Sequence, residues 1–239
     1  MRRRVGEDTA PPVRRRLLLL APLLLAACTD FSVLPTRPAV EVRRFPLAPQ
    51  RPGRPIAGEG RGGPVLLLRT LSAAPGLEGA GLRRLRPDGS MDVGFYEEWI
   101  APPAQLAEAA LRAWLQASGR FSAVVQPGSR AEAEFILEAQ LTALEAVPQA
   151  REARAELAGV LLRQGPGGSR VAATLDVRGR APLAEGAGVA EEAAAMEAAL
   201  GVAFTRLEAG VAAAIRPGGA PAARATPAAA PARRAAPRR

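Results

Sequence analysis

The sequence predicts a single compact α/β (mixed α+β) domain: a mixed sheet, with a three-stranded antiparallel meander, covered by two helices. Three observations carry this. Apolar and polar residues alternate with period two over Ala133 to Ala143, Glu152 to Leu162 and Arg170 to Arg180, as in strands with one buried and one wet face. Two other stretches, Pro103 to about Ser118 and Val189 to Ile215, repeat apolar residues at spacings of three and four, the stripe of an amphipathic helix. Finally, 239 residues less a leader and a tail leave room for one domain of ordinary size, not two large ones.

The chain begins with a leader, residues 1–27. Arg2, Arg3, Arg4, Arg14, Arg15 and Arg16 precede an apolar run from Leu17 to Ala27, interrupted only by Pro22. A basic region, a short apolar segment and small residues at its end describe a secretory signal peptide. The run has 11 residues, whereas about 20 are needed to cross roughly 30 Å of hydrocarbon as a helix, so a permanent span is not expected here. Leu25-Ala26-Ala27-Cys28 resembles the bacterial lipobox, and Cys28 is the only cysteine of the chain. That resemblance implies that Cys28 is lipidated and becomes the first residue of a mature protein facing the periplasm. Thr29, not an aspartate, follows it; by the sorting rule of enteric bacteria this points to the outer membrane.

Residues 28–63 read as a lipidated N-terminus and linker. Phe31-Ser32-Val33-Leu34 is a short apolar island, and Pro46 to Pro64 is dense in proline, glycine and arginine, too poor in apolar surface to order itself. The domain is expected over 64–215. Val65-Leu66-Leu67-Leu68 has the length and composition of a buried strand. Leu82 to Arg86 and Met91 to Tyr96 flank the turn residues Pro87-Asp88-Gly89-Ser90 and predict a hairpin. Pro102-Pro103 opens the first helix, with Ala107, Ala110, Leu111, Trp114 and Leu115 on one face and Gly119 placed to end it. A short strand follows within Phe121 to Val125.

In the three alternating segments, Phe135, Leu137, Ala139 and Leu141 share a face, as do Ala153, Ala155, Leu157, Gly159 and Leu161, and Val171, Ala173, Leu175 and Val177. Gly165-Pro166-Gly167-Gly168 marks the second turn of the meander. In the last helix Met196, Leu200, Ala203, Leu207 and Val211 form the stripe expected to cover the sheet. From Arg216 onward, Ala/Pro/Arg repeats without periodicity predict a disordered tail.

The net charge of +9 sits at the ends. Residues 1–27 carry +4, from six arginines and two acids. Residues 216–239 carry +6, from six arginines alone. Residues 28–215 carry −1, from 20 arginines and 21 acids. A near-neutral body argues against a nucleic-acid groove, so no nucleic-acid partner is expected. With no histidine and a single cysteine, Ser-His-Asp and Cys-His catalysis and the common zinc sites are ruled out. No Gly-rich phosphate loop appears. Glu97-Glu98 is the one acidic pair near aromatics, but neighbours on a strand point to opposite faces and make no catalytic dyad unaided. On these residues a carboxylate-only metal or glycosidase site stays open.

The order of features resembles the ABC-type transport auxiliary lipoprotein family (paraquat-inducible protein C-like). The matching residues are Cys28, Phe31-Ser32-Val33-Leu34, Val65-Leu66-Leu67-Leu68, Tyr96-Glu97-Glu98-Trp99-Ile100-Ala101-Pro102-Pro103, and the helix ending Ala117-Ser118-Gly119-Arg120-Phe121. The family's tryptophan commonly follows an arginine and its early motif opens on tyrosine; Glu98 and Phe31 stand there in this chain. The resemblance implies a compact α/β fold and a non-enzymatic role, so no catalytic residues, metal ligands or cofactor are expected. It also implies a membrane-anchored auxiliary subunit of an MCE-type (mammalian cell entry-like) ABC transporter, serving phospholipid or other hydrophobic-substrate traffic across the envelope. The expected partner is the MCE-type periplasmic component, with Tyr96, Glu97, Glu98 and Trp99 as candidate contacts and self-association into a homo-oligomer left open. The alternative expectation is an envelope-assembly lipoprotein of the outer membrane that activates a cell-wall synthase.

Overall fold

The computed structural model describes residues 40–53 and 62–216. The lipobox residues Leu25, Ala26, Ala27 and Cys28, the apolar island 31–34 and the tail beyond Arg216 lie outside the described residues. In chain order the elements are β1 (Arg43–Phe45), β2 (Val65–Leu68), β3 (Ser72–Ala73), β4 (Gly81–Leu85), β5 (Met91–Trp99), α1 (Pro103–Ala117), β6 (Ala123–Val125), β7 (Phe135–Val147), a 3-10 turn (Pro148–Ala150), β8 (Glu152–Arg163), β9 (Arg170–Pro182) and α2 (Val189–Ile215).

The strand β7 organises the nine-stranded mixed sheet. One edge of β7 pairs antiparallel with β8, and β8 pairs antiparallel with β9. Its other edge meets three short strands in succession, all parallel: β2 at Phe135 to Leu137, β3 at Gln140 and Leu141, and β4 at Ala146. Beyond these, β6 lies parallel to β2, β5 antiparallel to β4, and β1 parallel to β5. Five of the eight pairings are therefore parallel. From Glu41 the described residues form one compact mixed α/β unit with two main helices.

Alternation sets which side of each long strand is buried. Phe135, Leu137, Ala139 and Leu141 of β7, and Ala153, Ala155, Leu157 and Leu161 of β8, all turn into the core. Two irregularities change the phase. The register slips between Leu141 and Ala143, where Thr142 is the extra residue, and Leu144 and Ala146 then carry the buried side. Leu161 and Leu162 face Ala173 and Val171, so Ala172 is the extra residue of β9. This corrects one expectation: Val171 does not share the buried face of Ala173 and Leu175 but is 58% exposed.

The helix α2 lies over β8 and β9 and seats Met196, Leu200, Ala203, Phe204, Leu207 and Val211 in the core, all fully buried. Its approach to β9 is close. A Cβ on Gly179 would stand 1.8 Å from the carbonyl oxygen of Ala199 and 2.6 Å from the amide nitrogen of Ala203. By length and composition α2 is long and apolar enough to cross a membrane. In this fold its apolar stripe forms the roof of the sheet. The first turn carries Glu191 and Glu192, acids placed where a helix N-terminus favours negative charge. Glu191 accepts the Gly188 N–H, and buried Glu192 pairs with Arg84 of β4.

The helix α1 begins where Pro103 fits the first turn, and its buried residues include Ala107, Leu111, Trp114 and Leu115. Trp114 packs edge-on against Phe204 of α2, with ring centroids 5.5 Å apart.

The folded body begins earlier than the sequence suggests. β1 and the segment from Leu47 to Gly53, which composition assigns to the linker, belong to it. Leu47 is buried in the same core as α2 and the sheet. Proline and glycine made this stretch look unable to order itself, but its order comes from partners far along the chain.

Candidate functional site

The hairpin formed by β4 and β5 turns at Pro87 to Ser90, where the Arg86 N–H donates to the Ser90 carbonyl (2.9 Å) and the Asp88 carboxylate accepts from both the amide and the hydroxyl of Ser90. Hydrogen bonds from that hydroxyl and amide hold the Asp88 carboxyl below the usual carboxylate range. Gly81 pairs with Glu98 and Arg83 with Val93, so two residues of β4 span five of β5, and Gly94 to Glu97 bulge out of the ladder. Glycine is required at the start of this bulge: a Cβ on Gly94 would lie 2.7 Å from the Glu97 carbonyl oxygen.

The bulge displays two adjacent aromatic side chains. Phe95 is 78% exposed and Tyr96 42% exposed, and their rings meet edge to face with centroids 4.9 Å apart. Val93 and Ile100 of the same stretch, and Val42 just before β1, are also exposed. The parallel register Arg43 to Glu97 and Arg44 to Glu98 continues backward to set Val42 beside Tyr96. The result is an aromatic and aliphatic ridge at the β1 and β5 edge of the sheet.

The candidate contacts from the sequence divide here. Tyr96 stands on the ridge. Glu97 pairs with Arg43 (3.1 Å) and Glu98 with Arg44 (3.3 Å), each pair substantially exposed and so worth about 0–1 kcal/mol. As expected of neighbours on a strand, the two carboxylates are engaged separately. Trp99 is a correction: at 2% exposure it is part of the core and not of the surface. Phe95, the most exposed large apolar residue among the described residues, was not singled out by sequence reasoning. The available signal was Gly94 inside a strand pattern, which marks a bulge.

Over β8 and β9 the face of the sheet away from the helices carries ion pairs, beside an apolar row of Ile136, Leu162 and Val171. Arg154 pairs with Glu152 (2.7 Å) and Arg178 with Glu156 (3.4 Å), and Arg180 also reaches Glu152 (3.7 Å). Glu145 lies among them, and burial pushes its carboxyl above the ordinary range against the opposing pull of Arg83 and Arg154.

A second constellation fastens the segment after β1. Glu208, on the apolar stripe of α2 and 7% exposed, accepts two bonds from Arg51 (3.1 and 3.0 Å), one from the Trp114 indole (2.9 Å) and one from Arg120 (3.4 Å). Burial alone would raise this carboxyl, but the bonds from Arg51, Trp114 and Arg120 outweigh it and hold the pKa below the ordinary value. Two open grooves, about 400 and 330 Å³, flank the segment where Pro49 and Gln50 cross Trp114. Among the described residues, no cluster of three or more Cys, Asp or Glu side chains could hold a metal ion.

No protein-family model and no curated protein sequence matches the chain. Its fold is similar to that of protein XCC0632 from Xanthomonas campestris, described under family DUF330. The TM-score is 0.55 at 22% identity, over 69% of this chain and 96% of that one. An uncharacterized protein follows at a TM-score of 0.49 and 16% identity, covering 62% and 90% of the two chains. A hypothetical protein of Chlamydia trachomatis, CT253, gives 0.42 at 10% identity, covering 62% and 98%. At 22% identity the likeness to the Xanthomonas protein is one of fold.

Proposed function

We propose that the chain is a non-enzymatic auxiliary lipoprotein of an MCE-type ABC transporter, anchored in the bacterial envelope through Cys28 and supporting phospholipid or hydrophobic-substrate transport. The observation that carries this reading is the pairing of a lipobox at Leu25 to Cys28 with the Tyr96 to Pro103 motif at the junction of β5 and α1. A lipobox assigns a location. The motif resembles that of lipoproteins that work beside a transporter's periplasmic component. The charged outer face of β8 and β9, with its spaced Glu and Arg residues, supplies a polar surface suited to docking such a component.

The test is co-purification. Full-length tagged protein extracted from membranes should bring down an MCE-type periplasmic component, and Cys28→Ser should move the protein from the membrane to the soluble fraction. Recovery with cell-wall synthases alone would replace this reading with the envelope-assembly alternative. The second arm is independent of the first. A membrane-bound Cys28→Ser chain would remove the anchor whatever the partner.

A further inference from the structure

We propose that the ridge of Phe95, Tyr96, Val42 and Ile100 inserts into the surface of the bilayer that holds the Cys28 anchor, so that the domain lies against the membrane. The inference rests on the lipid-anchor reading and deepens it by assigning a second membrane contact within the folded domain.

Three observations converge. The ridge is the aromatic part of its face, where Phe95 and Tyr96 are exposed. Glu98, opposite Gly81, and Val93, opposite Arg83, are on the side away from the helices, as are the paired charges of β8 and β9. Over β8 and β9 that side carries ion pairs with the aliphatic Leu162 and Val171 among them, while at β1 and β5 it presents two aromatic rings that meet edge to face, beside the ion pair of Arg44 with Glu98. The rings are also held out by construction, since Gly94 closes the bulge behind them in a way a larger residue would block. A phenol and a phenyl ring in the bulge of β5 have the chemistry of a membrane interface, with apolar bodies for the acyl boundary and a hydroxyl for the headgroup region.

The third observation selects the bilayer over a protein as the occupant. The tether enters the domain at the ridge itself. The compact unit begins at Glu41, and Val42 is part of its exposed apolar surface. Cys28 precedes Val40 by 12 residues, which reach roughly 43 Å at most when fully extended. A short tether ending at the ridge keeps it close to the membrane at high effective concentration, so a contact too weak to hold a free protein becomes occupied.

The experiment uses full-length lipidated protein in vesicles of phosphatidylethanolamine and phosphatidylglycerol with brominated acyl chains. Phe95→Trp places an indole on the ridge, and Val171→Trp places one at an exposed position on β9, the far strand of the sheet. The native Trp99 and Trp114 are buried and provide a common background. Bromine should quench the added indole of Phe95→Trp several-fold more than that of Val171→Trp. Equal quenching in vesicles would overturn the proposal, as would an emission change of Phe95→Trp that appears only on adding the transporter's periplasmic component. Flotation scores the anchor separately. Protein that floats without selective quenching loses the docking contact and keeps the anchor; wild-type protein that fails to float loses both.

Discussion

Glu208 shows how much a single buried acid organises in this chain. It stands on the apolar stripe of α2, where a lone carboxylate would be costly, and it is held there by Arg51, Trp114 and Arg120 from three other parts of the sequence. Glu208→Ala should destabilise the domain by about 2–3 kcal/mol in denaturant unfolding, because two guanidinium groups and an indole N–H lose their partner while Arg51 keeps partial access to water. The pH dependence has a definite sign. The folded pKa of Glu208 lies below its ordinary value, so its contribution is present above the unfolded pKa and is lost as pH falls through the folded one. Thermal unfolding followed across that acidic window should show a smaller loss of stability in Glu208→Gln than in the wild type. Glu145 has the opposite sign, since burial raises its pKa and its charge opposes folding at neutral pH. Glu145→Gln should therefore leave the melting temperature at pH 7 unchanged or higher, with the difference vanishing below the ordinary glutamate range.

At the scale of elements, the fit of α2 on β9 depends on the absence of a side chain. Gly179→Ala would drive a methyl group into the α2 backbone at Ala199 and Ala203. The helix must then shift away from the sheet, with an expected loss of about 1–3 kcal/mol and a lower melting temperature. Neither partner is a flexible side chain able to move aside. The elements themselves were largely legible: α2 spans Val189–Ile215 as its stripe predicts, and the hairpin turns on Asp88 and Ser90. Two features were not. Val171 follows the alternation of its neighbours in sequence, but the extra residue Ala172 rotates it to solvent. Phe95 and Tyr96 would point to opposite faces of a regular strand, and only the bulge after Gly94 brings both rings to the surface.

For the whole molecule, the proposed role is that of a domain held at a membrane, and Cys28→Ser should release it without altering its melting temperature, since Cys28 precedes the compact unit that begins at Glu41. Fractionation and thermal unfolding of the same preparation check both halves of that statement. By itself the sequence determined the location of charge at the two ends, the lack of histidine chemistry, the alternation of β7, β8 and β9, and the two helical stripes. Each of these is a matter of composition or of neighbours within a few residues, where backbone geometry fixes the spacing. Tertiary structure decided the rest: the five parallel pairings that place the short strands, the inclusion of Leu47 to Gly53 in the fold, the burial of Trp99 and the exposure of Phe95. These depend on contacts between residues far apart in the chain, such as Arg51 with Glu208 and β1 with β5. No local pattern encodes such contacts, because short strands have little periodicity of their own and take their place from the surface that β7 and the helices offer.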